Sequence, residues 1–524
     1  MVKQIELVIE PGKILDKDYV KKVAAEKLKI GINAISAVVQ QRRSLDARSK
    51  NPFYRVLADI YINENPLDII PAIDYEPVKS DKKVIIVGFG PAGMFAALRL
   101  IELGIKPVVF ERGKDVQSRR RDLRAIQQFS TVNSDSNYCF GEGGAGTYSD
   151  GKLYTRSTKR GDIKKILGVL VQHGADQGIL IEAHPHIGSN KLPRIVKSIR
   201  ETILSNGGEV HFNSRVTDFI IRNTEISGVV VNGEAEFTAD AVILATGHSA
   251  RDIFSLLDKN NIEMEPKPFA MGVRIEHPQH IIDEIQYHSK ERSTFLPAAS
   301  YNVACQVEER GVFSFCMCPG GIIIPASTSQ EELVLNGMSV SRRDSPFANS
   351  GFVVTVTEND WQKYSGFGNF AGLRYQMEVE KAAYIAGGRS QTAPAQRVTD
   401  FVMGKISETL PKTSYIPGIV SAPLHEILPD HISRRLKEAL IIFGKKMKGY
   451  FTSEAQLLAA ETRTSSPIRI PRGRENMMHI KLSGLFPSGE GAGYAGGIVS
   501  AAIDGDNCAS AAVQYINLRL SKRV

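Results

Sequence analysis

Apolar and polar positions repeat with two periods along this chain, and the changes between them mark its parts. Ile5 to Ile9 alternates like a short strand. Asp18 to Leu28 places apolar residues at helical spacing, and Ile35 to Gln40 and Val56 to Ile62 again read as strands. The order strand–helix–strand–strand predicts a small α+β module. Its last two strands are joined by Gln41-Arg42-Arg43-Ser44-Leu45-Asp46-Ala47-Arg48-Ser49-Lys50, a basic segment. It reads as a solvated hairpin loop; a docking surface or a lid over an anionic ligand are the sharper alternatives. Asn65 to Asp81, with prolines at 66, 71 and 77, reads as a linker.

From Lys83 the pattern becomes β–α–β. Val84 to Val87 is a wholly apolar run, as expected of a strand buried on both faces. Gly88-Phe89-Gly90-Pro91-Ala92-Gly93 follows at once, and a helix is predicted from Ala92 to Leu103 with Gly104 as its stop. This is G-x-G-x-x-G in a strand–turn–helix context. Gly88 allows the tight turn, Gly90 the approach of a pyrophosphate, and Gly93 close helix–strand packing. The helix start offers free N–H groups to phosphate. A second strand, Pro107 to Phe110, ends in Glu111, where a carboxylate can accept from ribose hydroxyls, with Arg112 beside it. The chain is therefore predicted to bind a dinucleotide.

Short β-type segments run from Glu209 to Ala245, broken at Asn223 and at Asn232-Gly233. The middle of the chain mixes strands and helices without a nucleotide motif. Asp430 to Lys448 reads as a basic amphipathic helix, and Leu485 to Val513 as a Gly-rich turn before an alanine-rich helix.

Composition narrows the class. At 524 residues, with 42% hydrophobic and 23% charged positions, the chain should form several globular domains. Its five cysteines, scattered along the chain, do not make a secreted disulfide framework. The start MVKQIELVIEPGK lacks a signal-peptide pattern, and no stretch suits a membrane span, so a cytoplasmic protein is expected. The net charge of +8 permits an anionic partner without requiring one. His184-Pro185-His186 lacks accompanying ligands, and no metal site is expected.

Three features favour FAD over NAD. Asp240 to Gly247 is a strand running into Ala245-Thr246-Gly247, which would return the chain beside the phosphate site. Gly489-Glu490-Gly491 offers an acidic residue to a ribityl chain, and Gly496, Gly497 and Ile498 open a helix whose positive end could face the flavin. A terminal Gly-rich turn about 400 residues after the first suits a discontinuous FAD domain. With these, Phe140 to Tyr154, Gly272 to Pro278, Phe315-Cys316-Met317-Cys318-Pro319-Gly320-Gly321 and Glu461 to Pro467 resemble a bacterial family of FAD-dependent dehydrogenase-like proteins, uncharacterised NAD(P)/FAD-dependent oxidoreductases with a glutathione-reductase-type FAD fold. The resemblance spans nearly the whole chain. It implies non-covalent FAD and passes the Phe140–Tyr154 segment along the flavin, making Gly144, Gly146, Ser149, Asp150 and Lys152 cofactor contacts. It implies no reaction.

The expected fold class is α/β. A small N-terminal α+β (ferredoxin-like) module covers 1–79. A discontinuous Rossmann-like FAD-binding domain covers 80–265 and 465–524, and an α+β substrate or cap domain is inserted at 266–464. No second G-x-G-x-x-G follows a strand, so no dedicated NAD(P)H domain is expected; NAD(P)H is one transient donor and others stay open. The catalytic candidates are Lys152, Arg274, Cys316 and Cys318. Arg274 could clamp a substrate carboxylate or sit on a solvated strand face with Glu276. His248 could meet the cofactor or cap Ser249. Cys316 and Cys318 point to one face of a straight strand with Cα atoms roughly 6.5–7 Å apart, so a disulfide needs a bend, which Pro319-Gly320-Gly321 could supply. The leading expectation is a flavoenzyme that moves a hydride through flavin N5 to or from a small molecule. Nucleic acid is not its expected partner, and oligomeric state is not legible. The alternative is a flavoprotein that binds RNA through the basic N-terminal segment and the 430–448 helix.

Overall fold

The computed structural model describes residues 1–49, 51–66, 72–155 and 160–521, so Lys50 and part of the expected linker lie outside the described residues. Strands Val2–Ile9, Ile35–Asp46 and Phe53–Ile62 form an antiparallel sheet with the third in the centre. Helix Lys17–Leu28 covers one face of it, capped by Asp16, whose side chain accepts from the Tyr19 amide. A ferredoxin-like unit would have a second helix and a fourth strand; the described residues of this module hold one helix and three strands. The basic segment is a loop only in part, since its residues 41–46 are strand. The strand Ile35–Asp46 runs into it, because its backbone pairs with Phe53–Ile62 whatever the side chains prefer. Arg43 then joins the module to the body. Its N–H donates to the Ile181 carbonyl (2.6 Å), its carbonyl accepts from Ala183 N–H (2.8 Å), and its Nε donates to Glu182 (2.9 Å).

Five parallel strands make the sheet that positions the site. They are Lys83–Val87, Lys106–Phe110, Glu209–His211, Ala241–Leu244 and Leu485–Pro487, in the spatial order 485–487, 241–244, 83–87, 106–110, 209–211. Alternate residues serve opposite cores, as strand geometry requires. Val84, Ile86 and Ile243 pack under helices Pro91–Glu102, Leu192–Ser205 and Ile498–Ser521. Ile85, Val87 and Val242 pack under helix Arg251–Lys259 and the antiparallel sheet Val216–Arg222, Glu225–Val231 and Ala235–Thr238. Helix Ile498–Ser521 crosses Pro91–Glu102 so closely that a Cβ on Gly505 would collide with the Ala92 carbonyl.

The middle of the chain forms a seven-stranded sheet in the order 304–307, 310–318, 347–356, 269–278, 456–461, 393–397, 419–421, antiparallel except for the last pair. Helices Ala371–Ala386 and Asp430–Lys446 share its core. Among the described residues, no helix is long and apolar enough to cross a membrane, and no group of His, Cys, Asp and Glu is arranged to hold a metal.

Candidate functional site

The C-terminal ends of the parallel strands open onto a cavity of about 330 Å³, closed on its far side by residues of the seven-stranded sheet. Open α/β sheets bind ligands at this position. The first turn supplies Gly88, Gly90, Pro91 and Ala92 to the lining. Gly88 has φ +99°, and a Cβ there would lie 2.8 Å from the Ala245 carbonyl. Gly93 does not reach the cavity; a side chain there would collide with the Gly88 carbonyl, so its part is helix–turn packing. Gly90 caps helix Pro91–Glu102, whose start, at Pro91 and Ala92, lines the cavity with first-turn amides that have no helical acceptor.

Glu111 lines the cavity and does more than the sequence suggested. Its carboxylate accepts from the amides of Phe89, Gly113 and Gly141, each at 2.9 Å. It thereby ties the turn, the second strand and the Gly-rich segment together and keeps about one acceptor position for a ligand. Arg112 stacks on Phe140, 4.4 Å from the ring centroid, and donates to Asp135 and Asp252.

The Gly-rich segment Phe140–Tyr154 is shaped from behind. Arg119, wholly buried, donates to the carbonyls of Asn137 (2.7 Å), Glu142 (3.0 Å) and Gly144 (3.0 Å). No pattern in the sequence marked Arg119. Of this segment's glycines, Gly144, Gly146 and Gly151 line the cavity, while Gly141 and Gly143 lie against Arg119 and Thr147. Ser149, Asp150 and Lys152 line it too.

Thr246, Gly247 and His248 arrive from the strand end at Leu244, and Glu490, Gly496, Gly497 and Ile498 from the C-terminal segment. Gly489 does not line the cavity; its N–H donates to Asp504 (2.7 Å), which shapes the turn. His248 Nε2 lies 3.5 Å from Glu490 Oε2. Burial, followed by the charges of Arg463, Lys267 and Arg251, pushes the imidazole down to about 3, and burial raises the Glu490 carboxyl.

FAD can be tested against this lining directly. A Cβ on Gly90 would meet nothing nearer than 3.9 Å, and one on Gly247, Gly496 or Gly497 nothing within 4 Å. Three separate segments thus present bare backbone to one cavity, and two helix N-termini end on it. That is the donor set a pyrophosphate and a flat ring system require, and the residues fit the group.

The far end of the cavity carries side-chain chemistry. Asp150 is buried and accepts from Arg343 (3.1 and 2.6 Å) and from Ser339. Burial would raise its carboxyl, but Lys152 and Arg343 outweigh that and hold it at about 2. Lys152 Nζ lies 3.6 Å from Asp150 and 3.8 Å from Cys318 Sγ. Burial opposes its charge, yet Cys318 and Asp150 hold its pKa above the ordinary lysine value. Cys316 and Cys318 both line the cavity as free thiols. The bend between them lies earlier than Pro319-Gly320-Gly321. The strand loses register between Phe315 and Cys318, and Cys316 itself sits at φ +45°.

Arg274 proves unsuited to the clamp role. It is wholly buried, and Glu461 takes two of its hydrogen bonds (3.0 Å each), Asn349 one (2.9 Å) and the Cys316 carbonyl one (2.8 Å). Nor is its strand solvated, since Glu276 and His277 are buried as well. Arg463 lines the cavity, and no sequence pattern singles it out within Glu461 to Pro467. It pairs with Glu380 and Glu332 in a buried quartet that includes Arg251. Of the basic residues of the RNA alternative, Arg43 pairs with Glu182 and Arg48 with Asp46, and Arg434 and Arg435 share Glu308.

A dinucleotide cradle divided between distant parts of the chain defines a nucleotide-cofactor protein, and comparison with known proteins narrows it. A model for FAD-dependent protein, C-terminal domain-like, matches residues 268–464, one for FAD dependent oxidoreductases (DAO) matches 190–310, and a domain of unknown function (DUF8436) matches 1–61. An uncharacterised protein of Clostridium beijerinckii is 40% identical over 523 residues, 96% of this chain and 97% of its own. The chain belongs to the family of that clostridial protein, a family of FAD-dependent oxidoreductases, and FAD is its cofactor. Over a shorter stretch, 38% of this chain and 43% of the relative, it is 30% identical to the FAD-dependent monooxygenase nodY2 of Hypoxylon pulicicidum. A solved geranylgeranyl bacteriochlorophyll reductase-like protein from Thermoplasma acidophilum overlaps 84% of each chain at 13% identity with a TM-score of 0.35, a coarse likeness.

Proposed function

We propose that this protein is a flavoenzyme of glutathione-reductase-type fold that moves a hydride between FAD and a small molecule at the far end of the cavity. The observation that carries the reading is the continuity of one cavity from the Gly88–Ala92 turn to Lys152, Cys316 and Asn336. Gly90, Pro91, Ala92 and the amides of the helix start would hold the pyrophosphate, and Glu111 a ribose. Thr246, Gly247, Glu490, Gly496, Gly497 and Ile498 would hold the ribityl and ring portions. When bound, FAD supplies N5 as hydride acceptor or donor.

The chain's own part is orientation and electrostatics. Arg119 and Glu111 fix the backbone that faces the cofactor. Asp150 is already matched by Arg343, so the Lys152 ammonium remains as a cation toward the cavity, where it favours negative charge on cofactor or substrate. His248, held neutral, offers one ring N–H and one ring acceptor for hydrogen bonding beside Glu490. NAD(P)H is the donor to try first, binding transiently, since the middle of the chain forms an antiparallel sheet without a second Gly-rich turn.

The purified protein should be yellow and release FAD on denaturation, and Glu111→Ala should lower its FAD content. Anaerobic addition of NADH and NADPH in turn should bleach the flavin with one of them. A colourless protein that cannot be loaded with FAD overturns the reading.

A further inference from the structure

The two thiols at the far end of the cavity take no part in the scheme above. We infer that Cys316 and Cys318 form a dithiol–disulfide couple that exchanges two electrons with the bound FAD, an inference that rests on the flavoenzyme reading.

Four observations carry it. Both cysteines line the cavity that the dinucleotide cradle opens into. The bulge at Cys316 breaks the straight-strand spacing that would hold i and i+2 sulfurs apart, and Cys318 Sγ is turned back to within 3.3 Å of the Cys316 carbonyl. Cys318 Sγ is flanked by two cations, Arg274 Nη2 at 3.7 Å and Lys152 Nζ at 3.8 Å. Finally, the cations of this cluster, Arg274, Lys152 and Arg343, outnumber its carboxylates, Glu461 and Asp150, by one, so a positive charge is left over beside the sulfur. Cations beside a sulfur stabilise the thiolate through which exchange proceeds. Burial pushes the Cys318 thiol up, so it rests protonated and the cations act as the proton leaves.

On oxidation each thiol loses a proton, one S–S bond forms, and two electrons leave the sulfurs. The electrons and one proton pass to FAD, and the second proton passes to solvent. Reduction of the disulfide by reduced flavin is the reverse. The protein then stores two electron pairs instead of one.

The test is an anaerobic dithionite titration of the air-equilibrated, FAD-loaded full-length protein, followed by thiol counting after denaturation. The wild type should consume two reductant equivalents per FAD, with three titratable thiols before and all five cysteines after. Cys316→Ser and Cys318→Ser should each consume one equivalent and show four thiols throughout. The wild-type thiol count decides the matter even if a variant misfolds. A yellow protein that takes one equivalent and shows five thiols in both states overturns this proposal alone. A protein that cannot hold FAD overturns the flavoenzyme reading and this proposal with it.

Discussion

At the scale of single residues, the glycines of the first turn show how one amino acid serves two ends. Gly90 faces the cavity with nothing nearer than 3.9 Å to an added Cβ, whereas a Cβ on Gly93 would run into the Gly88 carbonyl, which cannot move aside. Gly90→Ala should therefore fold with an apo melting temperature close to wild type but bind FAD more weakly. Gly93→Ala should lose about 1–3 kcal/mol of stability through overpacking, and FAD with it. Melting of the stripped proteins and the ratio of flavin to protein absorbance after purification separate the two, and an equal loss of apo stability would sink the distinction. Both roles were legible in the sequence, because strand, turn and helix spacing assign each glycine of G-x-G-x-x-G a duty. The bonds of Glu111 to three amides, and the support Arg119 gives the Gly-rich segment, were not legible. A buried cation that serves backbone carbonyls carries no periodicity or motif of its own.

At the scale of elements, strand Phe269–Pro278 shows where pattern reading failed and why. Arg274 and Glu276 look like a solvated face, yet the strand lies between 347–356 and 456–461 and is buried on both faces. The partners that make this affordable, Glu461 for Arg274 and Gln456 for Glu276, come from a strand about 180 residues away, beyond any local pattern. The basic segment 41–50 misled differently: its residues 41–46 pair with the strand that follows at once, and the far-off partner is Glu182, which meets Arg43. His277 gives the strand a measurable signature. Its Nε2–H donates to the Tyr450 carbonyl (2.8 Å), its Nδ1 has no partner, and burial lowers its pKa from 6.5 to about 4. The folded-state value is depressed, so the contribution is full above pH 6.5. It is lost as pH falls toward 4, where the unfolded chain takes a proton the native strand refuses. The difference in urea stability between wild type and His277→Phe should be flat above pH 7 and shrink by about 3 kcal/mol between pH 6.5 and 4. A difference that ignores pH would show that this histidine is not held neutral.

At the scale of the whole molecule, the cofactor cradle is assembled from segments that fold far apart in sequence. The parallel sheet is closed by Leu485–Pro487, and helix Ile498–Ser521 lies on the start of helix Pro91–Glu102 at Gly505 and Ala92. FAD touching both helix starts would therefore hold the two ends of this assembly together, and ligand binding stabilises whatever it bridges. The N-terminal sheet, joined to the body through Arg43 and the Ile181–Ala183 backbone, shares no lining residue with the cavity. Hydrogen exchange compared between FAD-loaded and stripped protein should reflect this division. Protection should rise on loading in the turn at 88–94, at 245–249 and at 489–501 together, while strand Val2–Ile9 exchanges at the same rate in both. A gain confined to 88–94 would mean that the C-terminal segment is not part of the cradle. An equal gain in the N-terminal strands would mean that module and cavity unfold as one unit, and that the division drawn from their contacts is wrong.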